Sequence, residues 1–232
     1  MRGPAVALAT VLILAFTPLT ASSRSATYCA PTSDFLPHAD TVLHGDVDGD
    51  GNIDTVSSHG RTTATGRCRA WLVVETDRGV YRTRVEPLTG VLLVPPALAG
   101  LIELRPGRRL DIAVIVWVGA STGFLDVYGL RAHRLRRLSP DAYGYAGSFG
   151  ERSGVDCLHR HGARLVATSA SVDASGRRYV GERDFYGVRA GSLRLLTKLT
   201  EPFRIRLDAI DRFPELASLD PFQSCTAVRG GS

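Results

Sequence analysis

The chain has 232 residues, with 28 Lys plus Arg against 23 Asp plus Glu and a formal net charge of +5. This length is ample for one hydrophobic core and does not call for two domains. The positive charge is almost all arginine, Lys198 being the only lysine, and it is scattered over strand-like segments instead of gathered on one helix, which argues against a nucleic-acid partner.

The N-terminus starts with Met1-Arg2-Gly3, continues as an apolar run from Ala5 to Phe16 and ends in small residues from Thr20 to Ser23. A cationic start, a short apolar stretch and a small-x-small site at Ala21-Ser22-Ser23 predict a secretory signal peptide over residues 1–23, leaving 24–232 as a single domain. The apolar run falls short of the ~20 residues that a spanning helix needs, and Pro18 interrupts its end, so no membrane span is expected after cleavage. Export fits the even set Cys29, Cys68, Cys157 and Cys225, which predicts two disulfides. Of the three possible pairings, Cys29 with Cys68 and Cys157 with Cys225 close the shorter loops at lower entropic cost. His159 and His161 beside Cys157 read as a polar turn; no cysteine or histidine spacing suggests zinc.

The first strand-like segment of the mature chain is β-branched, Thr41-Val42-Leu43-His44, and a similar one, Thr55-Val56-Ser57-Ser58, follows shortly after. Between them runs Asp46-Val47-Asp48-Gly49-Asp50-Gly51-Asn52-Ile53-Asp54, with carboxylates at positions 1, 3, 5 and 9 and Gly51 at position 6. Hard cations such as Ca²⁺ take six to eight oxygens, and alternate side chains of a tight turn converge on one point when glycine permits the bend. Four like charges in nine residues also repel one another unless a cation neutralises them. An EF-hand would continue into a helix and close with glutamate at position 12. Here position 12 is Ser57 and the flanks are strands.

A strand, a DxDxDGxxD loop and a second strand resemble the FG-GAP or VCBS repeat of integrin-type β-propellers and related secreted bacterial proteins. The resemblance implies a structural Ca²⁺ held by the side chains of Asp46, Asp48, Asp50 and Asp54 and by the backbone carbonyl of Asn52. A second copy is visible at an offset of 57 residues (111 minus 54), where Leu110-Asp111-Ile112 falls on Ile53-Asp54-Thr55. Glu103 then takes loop position 1 and Gly107 position 5, but Arg105 replaces the carboxylate at position 3. This unit is expected to keep the turn and to lose the metal, with Arg105 paired to Glu103 or Asp111 in place of the ion.

Strand signals continue along the chain: Ala70 to Glu75, a turn at Asp77-Arg78-Gly79, then Val80 to Val85. The near-continuous apolar run from Ile112 to Val118 suits a strand buried on both faces. Phe124 to Tyr128 and Leu135 to Leu138 follow, then Arg164 to Ser171, Tyr179 to Val188 and Ser192 to Leu199, separated by turns at Ala174-Ser175-Gly176 and Ala190-Gly191. Helix signals are confined to Pro95 to Ala99 and Asp208 to Leu219. The predicted fold class is all-β: an antiparallel meander of about three four-stranded units, open propeller-like or sandwich-like, with Cys225 pinning the C-terminal segment.

One motif points elsewhere. Gly119-Ala120-Ser121-Thr122-Gly123 matches the GxSxG nucleophile elbow, and Asp156 or Asp173 with His159 or His161 would complete a triad, making the chain a small secreted serine hydrolase. An elbow needs a helix directly after the serine, whereas Phe124 to Gly129 alternates as a strand. Glu182 and Asp184 share a strand face in the manner of a glycosidase pair, but Arg178 and Arg183 nearby favour a salt-bridged surface. Arg131, His133, Arg134, Arg136 and Arg137 form a basic cluster that reads as the solvated side of a hairpin. Tyr143, Tyr145 and Phe149 are expected to pack on the sheet. The sequence thus predicts a monomeric, secreted, non-catalytic Ca²⁺-binding scaffold whose partner is a protein or a cell-envelope polymer.

Overall fold

The computed structural model describes residues 41–62, 68–86, 97–104, 107, 109–118, 121–158, 163–188 and 195–229. The expected signal peptide, Cys29, Arg105, His159 and His161 lie outside the described residues. The first four strands form a meander: β1 (Thr41–Gly45), β2 (Asp54–Thr62), β3 (Cys68–Thr76) and β4 (Gly79–Val85), each antiparallel to the next. A second meander repeats the plan with β5 (Ala97–Ile102), β6 (Asp111–Val118), β7 (Thr122–Arg131) and β8 (Arg134–Arg137). The 57-residue offset survives in the pairing itself. Gly45 faces Asp54 and Leu43 faces Val56, as Ile102 faces Asp111 and Gly100 faces Ala113. A bulge between Leu98 and Gly100 then ends the correspondence.

The third unit is not a separate blade, which corrects the expectation of three four-stranded units. Strands β9 (Tyr143–Gly147), β10 (Glu151–Cys157), β11 (Leu165–Val172), β12 (Arg178–Val188) and β13 (Leu195–Arg206) form a further antiparallel meander. It joins the second unit because β8 and β9 lie in tandem along one edge of β7: Tyr128 to Arg131 pair with β8, Thr122 to Leu125 with β9. The chain between them stays attached through the amide of Leu138, which donates to Val127 O at 2.7 Å. The result is a ten-stranded sheet in the order β13-β12-β11-β10-β9-β7-β6-β5-β14, with β8 also on β7 and β14 (Thr226–Arg229) closing the far side.

Burial explains the layering. Leu43, Val56, Leu72 and Val74 of the first sheet pack against Leu101, Ile112, Val114, Tyr128 and Leu130 of the second. The other face of β6 and β7 turns Ala113, Leu125 and Val127 toward Ile102, Tyr143, Leu165 and Phe222. Strand β6 is therefore covered on both sides, as its unbroken apolar run requires. The segment expected as a helix at Pro95 to Ala99 instead enters β5 at Ala97, where Leu98, Leu101 and Ile102 have partners in the core. The C-terminal signal is real but short: a 3₁₀ segment over Leu207–Arg212 and one turn of helix, α1 (Pro214–Ala217), which begins at the proline that interrupts the pattern. Cys157 and Cys225 are disulfide-bonded, 68 residues apart in sequence. The second predicted bridge requires Cys29 and falls outside the described residues. Among the described residues no helix is long and apolar enough to cross a membrane.

Candidate metal centre

The acidic loop is the connection between β1 and β2. Gly49 and Gly51 adopt φ of 83° and 93°, a left-handed backbone that fits glycine and lets the chain coil around its own carboxylates. Asp46 accepts the amide of Gly49 on Oδ1 at 2.6 Å and that of Gly51 on Oδ2 at 2.9 Å. Asp48 Oδ1 accepts from Asp50 N at 3.0 Å, and Asp50 Oδ1 from Asn52 N at 2.8 Å. These bonds turn the carboxylates of Asp46, Asp48 and Asp50 inward, with one oxygen of each lying within 4.8 Å of the others. A carboxylate oxygen that accepts one amide keeps a second lone pair, so the donor set, all hard oxygen, could hold a hard metal ion.

The other two expected ligands have different surroundings. Asp54 is buried at the start of β2, and its Oδ2 accepts the amides of Val47 and Asp48 at 2.8 and 3.0 Å. Burial raises its carboxyl above the ordinary aspartate range and outweighs the two amides, while the charges of Asp48 and Asp46 push the same way. It thus braces the base of the loop and lies outside the three-carboxylate group. Asn52 is exposed, and its side chain donates to Asp77 Oδ2 at 3.1 Å. Ser57, at position 12, is buried and hydrogen-bonded to His59 Nε2 at 3.0 Å, away from the cage.

Two arginines complete the site without any sequence signal that pointed to them. Arg78, in the β3–β4 turn, reaches Asp48 Oδ2 at 3.1 Å and Asp50 Oδ2 at 3.6 Å. Arg109, in the second unit's β5–β6 loop, donates to the backbone carbonyl of Asp48, and the amide of Leu110 donates to Asp46 O at 2.8 Å. The worn loop therefore clasps the intact one. Its own buried carboxylate, Asp111, is paired with Arg131 at 2.6 Å, while the pairing expected of Arg105 falls outside the described residues.

The remaining candidates are dispersed. Ser121 is exposed and runs directly into strand β7, with no helix after it. Asp156 is committed to the C-terminal segment, accepting from Ser224 N at 2.9 Å and Ser224 Oγ at 2.6 Å, and Asp173 to the β11–β12 turn, accepting from Ser175 Oγ at 2.7 Å. Glu182 and Asp184 do share a sheet face, but Arg183 projects to the opposite one and pairs with buried Glu215 at 2.9 Å. In the basic cluster, Arg131 and Arg137 are tied to buried Asp111 and Asp126. Tyr143 is buried edge-on to Tyr186, whereas Phe149 is 71% exposed at the β9–β10 turn.

The fold and this loop define an open antiparallel β protein with an acidic strand–loop–strand hairpin. Comparison with protein-family models, with curated proteins and with solved structures finds no match.

Proposed function

We propose that the chain is an exported, non-catalytic Ca²⁺-binding β-scaffold of the FG-GAP-like kind, in which the cation staples the loop joining its first two strands. The observation that carries this reading is the convergence of Asp46, Asp48 and Asp50 to within 4.8 Å on a loop wired by its own amides. Those three carboxylates would hold the ion, and Asp54 and the Asn52 carbonyl are the further ligands that the resemblance supplies. Bound Ca²⁺ would neutralise the clustered charge and rigidify the surface that Arg109 and Leu110 grip. Export is supported by the signal-like pattern of residues 1–23 and by the Cys157–Cys225 bridge, since disulfides persist in oxidising compartments. The scaffold's task is recognition of a protein or a cell-envelope polymer.

Thermal melting with Ca²⁺, Mg²⁺ and chelator tests the cation. Extracellular Ca²⁺ modules bind at roughly 0.1–1 mM, so 10 mM Ca²⁺ is expected to add about 1.4–2.7 kcal/mol by mass action. Asp50→Ala is expected to fold and to lose that increment. An equal response to Mg²⁺, or an unchanged response in Asp50→Ala, would falsify the site.

A further inference from the structure

The end of the ten-stranded sheet remote from the acidic loop gathers arginines in a way that packing alone disfavours. Arg178 of β12 lies directly opposite Arg206 of β13, and Arg204, two residues away on β13, shares their face. Like charges placed opposite each other on a sheet destabilise it. The chain then turns into the 3₁₀ segment and brings Arg212 back to the same place, enclosing a groove of 710 Å³ lined also by Asp208 and Asp211. That volume is in the range of small-ligand sites.

The charge is only partly answered within the protein. Arg204 is paired with Asp173 at 2.8 Å and Arg206 with Asp208 at 2.7 Å. Among the described residues, Arg178 and Arg212 have no carboxylate within ion-pair distance. On the same face of the sheet, Val180, opposite Arg204 and two residues from Arg178, borders a shallow trough that crosses β10, β11 and β12 past Glu151, Ser153, Ser169, Ser171 and Glu182. Ser153 pairs with Ser169 there, and Ser171 lies between Glu151 and Val180, so serine hydroxyls and the carboxylates of Glu151 and Glu182 border the trough.

We propose that this groove and trough bind a polyhydroxylated polymer bearing carboxylate or phosphate groups. The acidic groups meet the forks of Arg178 and Arg212, whose planar donors match oxyanions in pairs. The hydroxyl groups donate to Asp208, Asp211 and Glu182, carboxylates that would repel a bare polyanion. The inference rests on the binding-scaffold reading but not on its cation.

Binding is measured with the purified protein at low and physiological salt against polygalacturonate, poly(glycerol phosphate), neutral dextran and inorganic polyphosphate. Binding to either or both of the first two, with none to dextran, supports the proposal, and which polymer is preferred distinguishes carboxylate from phosphate. Arg178→Ala with Arg212→Ala is expected to weaken binding at least tenfold at an unchanged melting temperature, while Arg134→Ala with Arg136→Ala, on the exposed β8 surface, leaves it unchanged. Asp50→Ala is expected to bind as the wild type does, so a cation failure and a groove failure separate. Polyphosphate bound more tightly than both polyols, no binding to either polyol, or equal loss in the two double variants would overturn the groove.

Discussion

Glu215 sits on α1 beneath the sheet, 5% exposed, where Thr168 Oγ1 donates to it at 2.8 Å and Arg183 Nε at 2.9 Å. The Arg183 guanidinium is itself held over the rings of Phe185 and Phe213. Removing one partner of a buried pair strands the other charge. Arg183→Ala is therefore expected to cost about 3 kcal/mol in urea denaturation, whereas Arg134→Ala, on an exposed strand, stays within about 0.5 kcal/mol of wild type. Asp173 behaves oppositely to Asp54. The Ser175 hydroxyl and Arg204, followed by the amides of Arg177 and Arg178, hold its carboxyl far below the ordinary aspartate range. A depressed folded value makes the ionised form stabilising at neutral pH, and that contribution is lost as pH falls through the folded value. The stability difference between wild type and Asp173→Asn is expected to stay constant from pH 7 down to about pH 4, near the unfolded aspartate value, and to narrow below it, as read by pH-dependent melts. In the sequence Glu215 was visible only as a charge, and Asp173 only as a candidate triad acid. What gives them their roles is a partner 31 or 32 positions away, and no local pattern encodes that spacing.

The elements themselves were largely legible where alternation or apolar runs are strong. Strands β1 to β4 and β6 to β8 fall where the sequence places them, because their side chains alternate against one core or, in β6, are buried throughout. The missed strands have physical reasons. Strand β9, Tyr143-Gly144-Tyr145-Ala146-Gly147, reads as a glycine-rich turn, yet Gly144 lies against Ser153 and Gly147 against the backbone of Glu151, close approaches that need the missing side chains. Strand β10 contains Gly154 for a similar reason: a Cβ there would strike the backbone carbonyl of Glu215. Gly154→Ala is expected to push α1 off the sheet and to cost about 1–3 kcal/mol by chemical denaturation, the usual penalty of overpacking. A glycine that looks like a strand breaker in sequence is here the residue that lets helix and strand touch.

At the level of the whole molecule, the C-terminal segment ties distant parts together. Phe222 donates its amide to Val155 O at 2.9 Å, Cys225 bridges to Cys157, and Glu103 N donates to Cys225 O at 3.1 Å before β14 pairs with β5. The bridge closes a long loop, so its removal by Cys225→Ser is expected to cost about 4 kcal/mol on the chain-entropy account, measured by denaturation against the oxidised protein. By itself the sequence determined the all-β class, the acidic loop in which Asp46, Asp48 and Asp50 of the five expected ligands converge, and the 57-residue echo that Ile102 and Asp111 repeat. Each is written in spacing over a few residues, with period two for strands and alternate carboxylates around glycine for the cage. Only the tertiary structure decided that β8 and β9 share one edge of β7, which merges the second and third units, that Arg78 and Arg109 reach the loop, and that six arginine and aspartate side chains from β12, β13 and the 3₁₀ segment line one groove. Those outcomes depend on which edges remain unpaired and which charges remain unburied once the chain has collapsed, and such long-range competition leaves no local trace in the order of the residues.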